Sequence, residues 1–282
     1  MSVMVKRDDL IHPQLSGNKW RKLKHTLADA RQKGVTRVLS FGGAWSNHLH
    51  ALAFAGRQSG LATLGLVRGE PGSTRTPTLQ DCLDWGMTLH FLSRADYRRR
   101  HEPAYVAELA ARFGPCAVIP EGGSNALAVR GVAELVAEIQ APFDVVACAV
   151  GSGATLAGLA AGAPEGAQVL GIAVLKQGAY LEPVVRGLLA DAGYPSRDNW
   201  QLLTGFHGGG YAKVGPELRA FCADVFTHTG LVLEPVYTGK LFFAVDGLLR
   251  SGHFAPGTRL VLVHTGGLQG LRGFSDHRQS PV

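Results

Sequence analysis

Lys19 and Lys22 stand three residues apart in the stretch Ser16-Gly17-Asn18-Lys19-Trp20-Arg21-Lys22-Leu23. Ser16-Gly17-Asn18 are turn formers, and the run from Lys19 reads as a helix ending at Gly34, a residue suited to a C-terminal cap. Lys19 then falls in the first helical turn, where the helix dipole is positive and an ammonium is disfavoured. A lysine so placed has reason to lose its proton and act as an amine nucleophile. Lys22 shares its face and serves as a plain cation. A basic, solvated helix start would contain the same residues.

Glycines mark other candidate sites. Gly42-Gly43-Ala44-Trp45-Ser46-Asn47, Gly122-Gly123-Ser124-Asn125, Gly151-Ser152-Gly153-Ala154-Thr155 and Thr265-Gly266-Gly267 each follow an apolar, β-branched run. Strand ends of this kind are where open α/β sheets bind ligands. In Gly151–Thr155 the glycines let backbone approach an anion, the amides of a starting helix point at it, and Ser152 and Thr155 add hydroxyls. The same segment also suits a tight strand-to-helix turn. A P-loop is excluded, because Ala154-Thr155 replaces the lysine it requires. A dinucleotide fingerprint lacks its third glycine, replaced by Leu156, and its acid, since Ile172-Ala173-Val174 stands about 20 residues on. A small phosphorylated cofactor remains, and a turn-borne lysine complements one of them, pyridoxal phosphate.

These segments need a frame, and the chain supplies one by alternation. Strands are predicted at 37–41, 62–67, 88–92, 116–120, 144–150, 168–174 and 259–264. Helices are predicted at 76–85, 103–113, 125–140, 154–161, 180–192, 216–228 and 240–250, with another from about Ser46 and a glycine-rich loop at 205–215. The pattern implies parallel sheets covered by helices, an α/β fold.

Composition excludes several classes. With 282 residues, 46% hydrophobic and 18% charged, the chain folds around a substantial core. No apolar run is long enough to span a membrane, and the N-terminus lacks a signal-peptide core. Cys82, Cys116, Cys148 and Cys222 lack metal-ligand spacing, so free thiols in a reducing cytoplasm are expected, with no metal. The net charge of +6 suits acidic small ligands or no particular class of partner. Its one dense run, Arg98-Arg99-Arg100-His101 after Tyr97, reads as a solvated loop or helix start. Neither nucleic acid nor a membrane is expected as a partner.

Lys6-Arg7-Asp8-Asp9-Leu10, the Ser16–Leu23 stretch, Ser46-Asn47-His48, Pro120–Leu127, Gly151–Gly158, Pro235-Val236-Tyr237-Thr238-Gly239-Lys240 and His264–Gly267 occur in one order across nearly the whole chain. In this the chain resembles the D-cysteine desulfhydrase and 1-aminocyclopropane-1-carboxylate deaminase family, of the tryptophan synthase β-like class of pyridoxal phosphate enzymes. The resemblance implies a two-domain, open parallel-sheet sandwich with the cofactor between the domains. Residues 1–22 and 129–282 would form the large domain and residues 23–128 the small one, and the enzyme would be a homodimer. It further implies that Lys19 forms the Schiff base, that Lys22 binds the phosphate, and that Gly151, Ser152, Gly153, Ala154 and Thr155 hold the same phosphate. Asn47 would lie beside the 3-hydroxyl, Ser46 near the substrate carboxylate and Cα, and Tyr237 and Tyr211 in the active site. Ser46 and Asn47 also suit a helix cap, and Tyr237 a core aromatic.

The implied chemistry is α,β-elimination from a small amino acid with a β-leaving group, giving a 2-oxo acid and ammonia. Where the deaminases carry an acid for the ring nitrogen, this chain has Thr238, which together with Thr265 resembles the desulfhydrase branch. A neutral hydroxyl cannot hold the ring proton by charge, and eliminating a good leaving group needs less electron withdrawal than opening a cyclopropane. The deaminase and a non-catalytic binding protein of the same fold are the alternatives. Two departures bear on the substrate: Trp45 stands where the family has glutamine, and His207 sits in an unusual Phe206–Tyr211 loop.

Overall fold

A computed structural model describes residues 1–274 apart from Ser16, Pro71, Ser73 and Thr74. The turn-forming role expected of Ser16 therefore lies outside the described residues. In chain order the strands are β1 (Ser2–Arg7), β2 (Arg37–Gly43), β3 (Ala62–Arg68), β4 (Thr88–Leu92), β5 (Ala117–Ile119), β6 (Val145–Val150), β7 (Gln168–Ala173), β8 (Trp200–Leu203) and β9 (Arg259–His264). The helices are α1 (Asn18–Gln32), α2 (Asn47–Ser59), α3 (Pro77–Asp84), α4 (Arg94–Arg98), α5 (Pro103–Arg112), α6 (Ala126–Ala137), α7 (Ala154–Gly162), α8 (Leu181–Asp191), α9 (Pro216–Thr229) and α10 (Thr238–Arg250).

Two parallel sheets result, one in the order β1-β9-β6-β7-β8 and the other β4-β3-β2-β5. Central strands such as β6 (VVACAV) are buried along almost their whole length, as expected of a parallel sheet covered on both faces. On the five-stranded sheet, α6, α7 and α8 pack one face around Val129, Leu156 and Val185, while α10 packs the other around Leu241 and Val245. On the four-stranded sheet, α1 and α2 pack one face through Leu23, Leu27 and Leu52, and Tyr97 and Leu109 cover the other.

Two strands were not predicted, and both are edges. β1 pairs with β9 from Ser2↔Arg259 to Arg7↔His264, and β8 pairs only with β7. Half-exposed edge strands need no continuous apolar run, so their signal is weak. The arginine run also differs from the expected loop or helix start. Arg98 ends α4, and Arg99–His101 continue it as a 3-10 turn. All four cysteines are free, Cys82 and Cys148 buried and the other two half-buried. Among the described residues, no helix is long and apolar enough to cross a membrane.

Candidate active site

A cavity of about 780 Å³ opens at the C-terminal ends of β2, β3, β6 and β9, where parallel sheets place their ligands. It gathers Lys19, Lys22, Ser46, Asn47, Gly151, Ser152, Gly153, Thr155, Tyr211, Tyr237 and Thr265. Gly17 explains how Lys19 arrives there. At φ +67° it turns the chain into α1, and a Cβ at this position would lie 1.8 Å from the Thr265 carbonyl oxygen. Only glycine permits that approach.

Lys19 is the second residue of α1, and its amine is pushed down to about 8 by burial, with the charge of Glu234 pulling partly back. A lowered pKa was expected, but from the helix dipole; desolvation by the cavity wall is the larger cause. Lys22 corrects its expectation more sharply. Expected as a plain cation, it is 1% exposed, and burial together with the charge of Lys19 pushes its amine well below its ordinary value. Its Nζ donates to the Gly122 carbonyl oxygen at 2.8 Å and to Ser152 Oγ at 3.1 Å. Ser124 Oγ in turn donates to Ser152 Oγ at 2.8 Å.

Ser152 belongs to the turn that starts α7. Gly153 is its N-cap at φ +86°, Ala154 is the buried first residue whose side chain does not line the cavity, and Thr155 Oγ1 accepts from Asn18 Nδ2 at 2.8 Å. A helix N-terminus, two serine hydroxyls and a buried amine without an ion pair among the described residues form a receptor for an oxyanion. This donor set fits a phosphate group, and the nearby Lys19 amine suits an aldehyde carried on the same molecule. The residues present therefore fit pyridoxal phosphate.

Across the cavity, Ser46 caps α2 by accepting from the Leu49 amide at 3.2 Å, the capping reading of its sequence position, and it also lines the cavity. Asn47 Oδ1 accepts from Gln269 Nε2 at 2.9 Å. The hydroxyls of Tyr237 and Tyr211 are 3.2 Å apart, their rings meeting edge to face at 6.0 Å. Burial holds the Tyr237 phenol well above its ordinary pKa, so it keeps its proton. Trp45 lines the cavity and stacks close to Gly273, whereas His207 does not line it and instead accepts from the Gly209 amide at 3.1 Å through Nδ1.

Thr238 contradicts its expected place. Its side chain is wholly buried and absent from the cavity wall. Oγ1 accepts from the Glu234 amide at 3.0 Å and donates to the Glu234 carbonyl oxygen at 3.1 Å. Closing the 234–238 turn engages the hydroxyl in both directions, and Thr265 is the threonine that lines the cavity.

Three residues were missed. Glu234 lines the cavity, accepts backbone N–H bonds from Val236, Tyr237 and Thr238 at 2.7–2.8 Å, and is raised to about 7 by burial. An acid followed by proline just before a helix was its available signal. Lys240, 1% exposed, donates to the Gly210 carbonyl oxygen at 2.7 Å and so ties down the loop bearing Tyr211. His48 Nε2 lies 2.8 Å from Ser40 Oγ, and its buried Nδ1 has no partner. Neither Lys240 nor His48 carries a local pattern that separates it from a surface residue.

Comparison with known proteins agrees with this donor set. Residues 1–266 match the family model described as pyridoxal-phosphate dependent enzyme. The chain is 31% identical to the mitochondrial bifunctional D-cysteine desulfhydrase/1-aminocyclopropane-1-carboxylate deaminase of Arabidopsis thaliana, over 95% of this chain and 72% of that one. It is 29% identical to a D-cysteine desulfhydrase of Yersinia enterocolitica, over 98% and 89% of the two chains. The crystal structure of a 1-aminocyclopropane-1-carboxylate deaminase homologue superposes with a TM-score of 0.85 at 29% identity, covering 97% of this chain and 87% of that one. With the model matching nearly end to end and a cavity built for a phosphate beside a deprotonatable lysine, the chain belongs to the pyridoxal-phosphate dependent enzyme family.

Proposed function

We propose that the protein is a lyase of the D-cysteine desulfhydrase kind, which eliminates a β-leaving group from a small amino acid and releases a 2-oxo acid and ammonia. The observation that carries this reading is the pairing of Lys19, poised near neutrality, with the uncompensated Lys22 amine in one cavity. Lys22, Ser152 and the first amides of α7 bind the cofactor phosphate. When bound, pyridoxal phosphate supplies the electron sink that makes the substrate Cα–H acidic. Lys19 Nζ would take that proton, since a pKa of about 8 leaves roughly a tenth of the amine unprotonated at neutrality, far more than an ordinary lysine offers. Ser46 and the starting amides of α2 orient the substrate carboxylate. Tyr237, kept protonated and paired with Tyr211, gives a proton to the departing thiolate. Asn47 and Thr265 line the same cavity and would face the cofactor ring.

One observation favours the deaminase as a second reading: an acid, Glu234, lines the cavity after all. Its carboxylate is already held by three backbone N–H groups, which supports the elimination reading as the first.

The domain division is proposed at 1–22 with 129–282, and 23–128. Its support is that β2 to β5 all lie within the inner segment, while α1 and α6 carry the crossings. A homodimer in the cytoplasm completes the proposal, although the Arabidopsis relative is described as mitochondrial. The deciding experiment is 2-oxo acid release by the holoenzyme from D-cysteine, L-cysteine, β-chloro-D-alanine and 1-aminocyclopropane-1-carboxylate. Pyruvate from D-cysteine is the expected result. Product from the cyclopropane alone would select the deaminase, and none from any substrate would refute both.

A further inference from the structure

The mouth of the same cavity carries three arginines, Arg68, Arg94 and Arg100, that the chemistry above does not use. Arg100 is occupied. Its Nε donates to the Glu121 carboxylate at 2.7 Å, and Tyr97 donates its hydroxyl to the same acid. Arg68 and Arg94 have no ion pair with any described residue.

Arg68 is nevertheless held in place. It ends β3 opposite Gly43, the last residue of β2, and its Nη2 lies 3.7 Å from where a Cβ on Gly43 would stand. Its guanidinium carbon is 5.7 Å from the Tyr97 ring centroid. The group thus lies across the strand end that leads into Ala44-Trp45-Ser46, the turn assigned to the substrate carboxylate. It lines the same cavity as the tyrosine pair. Burial raises the Tyr211 phenol, and the charge of Arg68 draws it partly back, which places the guanidinium within electrostatic reach of the tyrosine pair. A guanidinium braced against a ring keeps its N–H edge free for a planar or tetrahedral oxyanion.

The other charges of a substrate are already provided for: the carboxylate by Ser46 and α2, the amine by exchange at Lys19. We propose that Arg68, with Arg94 on the wall of the same cavity, reads a second anionic group on the β-substituent, so that the substrate class is amino acids with a negatively charged β-leaving group such as a phosphate ester. This rests on the elimination reading for which bond breaks. With O-phosphoserine, the Cα proton passes to Lys19 Nζ, the Cβ–O bond breaks, and its electron pair leaves with the phosphate. One water then displaces the nitrogen, giving pyruvate, ammonia and inorganic phosphate.

Affinity is measured first, with a probe that does not react. The holoenzyme is titrated calorimetrically with each hand of 2-amino-3-phosphonopropionate, whose β-phosphonate is not eliminated, and with alanine of the same hand. For one hand the phosphonate is expected to bind about tenfold or more tightly than alanine, in keeping with a charge-assisted contact. Arg68→Gln is expected to lower that ratio about tenfold and Arg94→Gln to lower it less. Arg68 is exposed, so the variant keeps the fold. A ratio near one in the unmodified enzyme, or one that neither substitution changes, overturns the inference. Pyruvate release from O-phosphoserine is followed separately. If no amino acid yields a 2-oxo acid, the elimination reading fails, and the affinity ratio still decides whether Arg68 reads an anion.

Discussion

Lys22 Nζ lies 3.1 Å from Ser152 Oγ in a site where Lys22 is 1% exposed and has no acidic partner among the described residues. A buried amine without a counter-charge costs stability unless a ligand supplies one. Replacing it with an apolar side chain of similar length should therefore have opposite effects on two measurements. Lys22→Met is expected to weaken pyridoxal phosphate binding roughly 10- to 100-fold, the size of a lost charged hydrogen bond. It should also raise the melting temperature of the cofactor-free protein. Cofactor titration and thermal unfolding of the apo form check the two signs together.

Lys240 acts at a distance on the tyrosine pair. Its Nζ donates to the carbonyl oxygen of Gly210 at 2.7 Å, and Tyr211 is the next residue. Lys240→Met removes a charged donor from that carbonyl, so the loop should hold Tyr211 less firmly against Tyr237. The expected outcome is a fall in kcat of about tenfold, with cofactor affinity within a factor of two of the parent. Tyr211→Phe should reproduce the kcat loss, whereas a parallel loss of cofactor would show that Lys240 supports the site as a whole.

How much of this was legible beforehand depended on the kind of signal each residue carries. Lys19, Ser46 and the 151–155 turn sit at strand-to-helix junctions, where glycine and capping residues leave local marks. The five inner strands were legible as largely apolar runs, and so were β4 and β5, edges of the smaller sheet whose sequences TLHFL and AVI remain largely apolar. β1 and β8 were not, because these two edge strands interleave polar or charged residues (SVMVKR, WQLL) and are half open to solvent. Thr238 was misplaced because its neighbours in sequence do face the cavity, and only the 234–238 turn reveals that the hydroxyl points away. Arg68 was invisible for a different reason. Its meaning arises from Gly43 and Tyr97, which are distant in the chain and adjacent only across the sheet.

Arg21 gives a stability prediction outside the chemistry. It is 3% exposed and bonds Asp8 through Nε at 2.5 Å and Glu138 through Nη1 at 2.8 Å, joining the segment after β1 to α1 and α6. Removing Arg21 leaves the fully buried Asp8 carboxylate with the Lys6 amine at 3.1 Å as its remaining partner, so the cost is that of lost charged hydrogen bonds, about 1.5–3 kcal/mol. Arg21→Met should lower stability by that amount in denaturant unfolding. Asp8→Asn, which keeps a hydrogen-bond acceptor, should cost less.

The last prediction concerns pH. The Lys19 amine titrates near 8 in the folded protein rather than at its ordinary 10.5, because burial disfavours the ammonium. Only the free amine attacks an aldehyde, so cofactor attachment to the apo protein should quicken about tenfold per pH unit below 8 and level off above it. The stability consequence has a definite sign. Between about 8 and 10.5 the unfolded chain holds a proton on this lysine that the folded one has released, so the contribution of Lys19 to stability rises with pH across that window. Lys19→Met should therefore abolish the visible absorbance of the reconstituted protein and also flatten this part of the apo-protein stability curve. Stopped-flow reconstitution from pH 6.5 to 9.5 and unfolding across pH 8 to 10.5 measure the two effects. An attachment rate independent of pH would show that the amine is already free throughout, and that the cavity lowers its pKa further than burial at this site accounts for.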